Sequence, residues 1–180
     1  MTQHEKAFKN SVFYNSVTKV KEFMFNDIEK TIALADRPQV GAPNFLLALG
    51  LCCYTEYWGR LITGIATGKG KECFNTFFDR LGHQYVEVRD NKDEIYRNVR
   101  CGLAHSYLNE KSSIIDMKSG MSCGIDHDAR TKHYSFHVPT YFEDLKRAIS
   151  AYLQGLENGT ENLSLMEQAF RNKLELISTV

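Results

Sequence analysis

The stretch NFLLALGLCCYTEYWGRLITGIA, residues 44 to 66, decides the architecture, because it is nearly long enough and apolar enough to cross a bilayer. Glu56 and Arg60 lie inside it, glycines at 50, 59 and 64 interrupt it, and no basic cluster flanks it. Those features read as the central buried helix of a soluble bundle, with no membrane partner. The rest of the chain supports that reading. At 180 residues, 43% apolar and 12% aromatic, it is long and greasy enough for one domain with a full core.

Working outward, apolar residues at helical spacing (Phe8, Val12, Val17, Val20, Ile28, Ile32) predict one long helix or two nearly collinear ones over about 3–36. DRPQVGAP breaks it, since proline and glycine are poor helix interiors. After the apolar helix, TGKGK is a stop. KECFNTFFDRLG then predicts a short helix presenting Phe74, Phe77, Phe78 and Leu81, and the polar segment from Gly82 to Asn91 reads as a loop. A fourth helix over about 92–108 carries Tyr96, Val99, Leu103 and Tyr107 as its inner stripe. The period then drops to two: SSIIDM and HYSFHV read as strands, a small β-hairpin insertion around 112–138. From PTYFEDLKRAISAYLQGL a helix restarts, with Thr140 and Glu143 spaced as a capping box and Gly155 and Gly159 marking its end. A last amphipathic helix covers about 161–178. The expected fold is mostly α, a bundle of five to six helices in a single domain over 1–180.

Charge narrows the function classes. Lysine plus arginine equals aspartate plus glutamate, 22 each, so no overall basic field marks a constitutive nucleic-acid binder and any such contact is local. Five scattered cysteines without CxxC spacing, and the polar start MTQHEKAFKN, point to the cytoplasm.

The chemistry concentrates in YRNVRCGLAHSYL, residues 96–108. At 100° per residue Arg100 and Tyr107 share a face while His105 is rotated away, so the three converge only if a second copy of the helix packs antiparallel against the first. Gly102 and Ala104 are small enough to permit that approach. Such a cluster suits phosphodiester cleavage without a metal. His105 can take a proton from an RNA 2′-hydroxyl or return one to the leaving oxygen. Arg100 can clamp the phosphate and offset the charge that grows on it, and Tyr107 can donate a hydrogen bond or stack on a base.

These residues, as R-x4-H-x-Y, resemble the signature of the HEPN superfamily of helical bundles found in prokaryotic toxins, defence systems and RNA-processing proteins. The resemblance is firm over about a dozen residues and loose elsewhere. It implies a metal-independent RNase site at a homodimer interface built from Arg100 and His105. It also implies that Tyr107 is the position which, in some toxins, a nucleotidyltransferase antitoxin modifies. The chain departs from the pattern at Cys101, where catalytic members carry a polar residue. Asn98, one turn earlier, is a substitute, with Arg97 alongside. Other members of the superfamily are binding or scaffold modules, and that is the competing reading.

Three further features complete the inventory. Glu56 reads either as an i, i+4 partner of Arg60 or as a carboxylate facing the motif helix and orienting Arg100 or His105. GKGK lacks the pattern of a phosphate-binding loop, yet Lys69 and Lys71 could touch an RNA backbone. Cys123, His127, His133 and His137 suggest zinc, but on a strand His133 and His137 stand roughly 13 Å apart. No metal and no cofactor is expected. The aromatic residues 134 and 136 with Val138 should face the core, leaving His133, Ser135 and His137 to solvent.

Overall fold

The computed structural model describes residues 2–35, 43–90, 95–106, 113–128, 130 and 133–178. Helix α1 (Gln3–Asn10) starts at Thr2, whose hydroxyl accepts the Glu5 amide at 3.1 Å. At Ser11 the backbone turns extended, which separates α1 from α2 (Tyr14–Ala35). The expected break at DRPQVGAP falls largely outside the described residues.

Helix α3 (Asn44–Thr63) is the apolar stretch and forms the spine of the bundle. Trp58, fully buried on it, donates its indole N–H to the Met24 thioether at 3.3 Å and packs between Phe77 and Tyr152. Thr55 and the Tyr141 hydroxyl share a hydrogen bond of 2.8 Å inside the same core. No helix among the described residues is long and apolar enough to cross a membrane. The turn at Gly64, in the left-handed region, ends α3 and passes to α4 (Gly70–Phe78), which a 3-10 turn extends through Leu81. Gly59 lets α4 approach closely, since a Cβ there would overlap the Cys73 carbonyl.

The segment after Gly82 is helical, α5 (His83–Asp90), where a loop was expected. Only Tyr85 and Val88 are buried, three residues apart, so the apolar signal is too sparse for periodicity to register. The motif helix is not uniform either. A π turn (Tyr96–Cys101) leads into α6 (Gly102–Ser106).

Among the described residues the β insertion has three strands: β1 (Ser113–Asp116), β2 (Ile125–Asp128) and β3 (His133–His137), in the order β1-β3-β2. The two strands expected from periodicity pair in parallel, Ser113 opposite Tyr134 and Asp116 opposite His137. The connection between them supplies β2, antiparallel to β3, which makes the hairpin. Tyr134, Phe136 and Val138 are buried as expected. His137 is buried too, against expectation, because β3 runs directly into α7 (Val138–Asn158) and its ring Nδ1 finds Asp116 at 2.8 Å.

That early start also displaces the expected capping box. With Pro139 in its first turn, α7 is capped at His137, Thr140 is buried with an unpartnered hydroxyl, and Glu143 pairs with Lys146 at 2.7 Å. Gly155 lies within α7, and Gly159 alone ends it in the left-handed region. Helix α8 (Leu163–Ser178) closes the bundle, burying Met166 against α3.

Candidate functional site

Burying a carboxylate in an apolar helix is costly unless it is paired, and Glu56 is paired twice. Its side chain is 9% exposed. One oxygen accepts Arg60 Nη2 at 2.6 Å and the other lies 2.9 Å from Arg100 Nη2. Both readings of Glu56 therefore hold together, as a helical i, i+4 pair and as a carboxylate gripping the motif helix. One carboxylate between two guanidiniums leaves a net positive charge in a partly enclosed place.

The cluster extends on both sides. Arg60 Nη1 donates to the carbonyls of Ala66 (3.0 Å) and Gly68 (3.2 Å), which ties down the loop leading to Lys69. The Arg100 guanidinium lies over the Tyr96 ring at 5.5 Å, and Tyr96 packs on Phe74 of α4. A Cβ on Gly70 would strike the Tyr96 hydroxyl and come within 2.9 Å of Glu56, so the start of α4 closes the cluster. Burial works most strongly against the charge of Arg100, but Glu56 together with Cys53, Tyr96 and Cys101 outweighs it and raises the pKa. Burial, then the nearby Glu56 charge, pushes the Tyr96 phenol up.

The motif residues divide between two faces. Arg100 turns inward to Glu56, with Asn98, Val99 and Gly102 buried. Arg97, Ala104 and His105 are exposed, and Cys101 is intermediate. Asn98 therefore does not share the face of His105, and of the two small residues only Ala104 lies on the outside. Tyr107 lies outside the described residues. The π turn also changes the reckoning, because wider winding through Tyr96–Cys101 invalidates a fixed 100° per residue.

Cys52 is fully buried and Cys53 half-buried. Burial raises both thiols, and Arg100 works in the opposite direction on each. Lys69, with φ of 47°, heads α4 and pairs with Glu72 at 3.2 Å; Lys71 is exposed two residues on. Among the expected site residues, Glu56 and Arg100 touch, and Arg60 connects them to the loop bearing Lys69. Tyr96 is a member of the cluster that reading it as core stripe missed, although its place four residues before Arg100 was a signal.

In the segment 123–137 whose cysteine and histidines suggest zinc, Cys123 is buried, with its thiol raised by burial, and His137 is taken by Asp116. Among the described residues no group of three or more His, Cys, Asp or Glu side chains could hold a metal ion.

No family model matches the chain, and no solved structure matches it at a significant level. A stretch of 76 residues is 29% identical to phosphoglucosamine mutase of Francisella tularensis subsp. novicida strain U112, and equally to that of subsp. tularensis strain WY96-3418. It covers 42% of this chain and 17% of the mutase, so the chain is similar to a small part of a much longer enzyme.

Proposed function

We propose that the chain is a HEPN-like, RNA-directed cytoplasmic protein that acts as a metal-independent endoribonuclease, with its site completed across a homodimer. The observation that supports this is the two-sided motif helix. Arg100 is held charged and oriented by Glu56 and Tyr96, while His105 projects outward on the next turn, where a second copy can meet it. A π turn at the junction is a common mark of functional positions.

In this reading Arg100 and the net positive charge around Glu56 receive a phosphate of the RNA backbone. His105 from the facing copy removes the proton of the 2′-hydroxyl. The 2′-oxygen attacks phosphorus, the P–O5′ bond breaks, and the 5′-oxygen takes a proton from an imidazolium as it leaves. A cyclic 2′,3′-phosphate and a free 5′-hydroxyl result. Lys69 and Lys71 extend the basic track for the strand. A nucleotidyltransferase acting on Tyr107 is the antitoxin this reading expects, which places the protein in a toxin or defence system.

A second reading, a HEPN-like binding module without catalysis, draws on the engagement of Arg100 by Glu56 and on Cys101 beside it. One experiment separates the two. Purified protein is incubated with mixed RNA in chelator beside His105→Ala and Arg100→Ala, and its mass in solution is measured. Cleavage lost in both variants, by a dimer, supports the enzyme. Intact RNA with a dimeric wild type supports the binding module, and a monomer or cleavage unchanged in both variants sinks the RNase reading.

A further inference from the structure

Away from the motif helix, a cavity of about 480 Å³ opens between the second half of α2, the loop 119–122 and the first turns of α7. Its walls are apolar at Ile32, Met121, Pro139 and Phe142. Its charge is one-sided, with three carboxylates, Glu29, Glu143 and Asp144, against the single guanidinium of Arg147. Asp144 is 4% exposed and fixed from below, where it accepts the Tyr85 hydroxyl and, at 3.3 Å, the Gly124 amide. Arg147, its outer partner, is 73% exposed and so largely hydrated. Thr140 also lines the cavity, is 8% exposed, and its hydroxyl has no hydrogen-bond partner.

The chain itself supplies an instance of what these groups hold. The ammonium of Lys146 sits between Glu143 (2.7 Å) and Glu29 (3.3 Å), 4.6 Å from the centre of the Phe142 ring. Even with that ammonium counted, three negative charges face two positive ones.

We propose that this cavity binds a small organic cation, an ammonium group carried on an apolar body. The body lies against Phe142, Ile32 and Met121. The ammonium meets the Glu143 and Asp144 carboxylates, where it shares or displaces the exposed guanidinium of Arg147. The unpartnered Thr140 hydroxyl gains a polar neighbour. This site is independent of the RNA reading.

The test uses the full chain and two probes of similar shape and opposite charge, phenethylamine and 3-phenylpropionate, titrated by calorimetry at pH 7. The amine is expected to bind saturably and about tenfold or more tighter than the acid. Its affinity falls with added salt and drops about threefold in Glu143→Gln, whose exposed position leaves the fold intact. Ala33→Trp, at an exposed position on the wall, fills the space and removes binding. Met121→Trp does the same and serves if the first variant loses its circular dichroism. Equal binding of amine and acid, no saturable binding of the amine, or binding unchanged in the filled variants overturns the proposal.

Discussion

Glu56 and Arg100, 44 residues apart in sequence, meet at 2.9 Å and join the spine helix to the motif helix through one buried carboxylate. The same carboxylate holds Arg60. Removing its charge leaves two guanidiniums facing each other across a neutral amide. Glu56→Gln should therefore destabilise the fold by about 1–3 kcal/mol, below the range for fully buried pairs because both arginines keep some contact with water. Urea denaturation measures it, and a loss under ~0.5 kcal/mol would show that the pair does not hold the two helices together.

His105 is exposed and stands apart from the core, so His105→Ala should leave the denaturation midpoint within about ±0.5 kcal/mol of wild type. Under the RNase reading the same change should lower cleavage by about 10²–10⁴-fold. The two measurements on one protein separate a chemical role from a structural one.

Two glycines on α3 should respond in opposite ways. Gly59→Ala drives a methyl into the Cys73 backbone, which cannot rotate away, and should cost at least ~3 kcal/mol or prevent folding. At Gly50 the nearest atom to an added Cβ is Ile28 Cδ1, at an ordinary 3.8 Å, so Gly50→Ala should stabilise by about 0.5–1 kcal/mol through helix propensity. Thermal denaturation of both variants would expose an error in either sign.

Asp116 gives the fold an acid-sensitive contact. Burial alone pushes its carboxyl up, but hydrogen bonds from His137 and the Lys118 amide reverse this and hold it below its ordinary value. A carboxyl depressed in the folded state takes its proton first in the unfolded chain. Its contribution, about 1 kcal/mol, is therefore complete above pH ~4 and disappears as the pH falls through the lower folded value. Asp116→Asn should be less stable than wild type at neutral pH by that amount, with the gap closing toward pH ~2. A gap that widens on acidification contradicts the assignment.

The helices that bury long apolar faces were legible in the sequence: α3, α4, α7 and α8 all announce themselves by spacing, and α3 and α7 also by the glycines at 64 and 159 that end them. What escaped has local physical causes. Helix α5 buries too few side chains to show a period, and β2, as IDHD, has only one strongly apolar residue. Strand order is not written in the chain, so the parallel pairing of β1 with β3 could not be read from two alternating segments. The site was half legible. Glu56 attracted notice as a charge in an apolar run, and the arginine-histidine spacing marked the motif. The π turn that splits them has no residue signature, and Tyr96 looked like any aromatic on a core stripe.

The π turn winds one more residue into its span than an α-helix would, and this shifts the phase of everything after it. The inward aim of Arg100 and the outward aim of His105 thus depend on how the residues from Tyr96 to Cys101 are wound as well as on their identities. Deleting any one of them and returning the segment to α-helical winding would keep the same angular sweep with one residue fewer, and so leave His105 on its present face. A deletion between Gly102 and Ala104, where no bulge absorbs it, would carry His105 about 100° around the axis. The motif helix should therefore absorb the loss of one residue within the π turn and be intolerant of a change in length after it, so that the turn acts as a spacer that sets phase by counting.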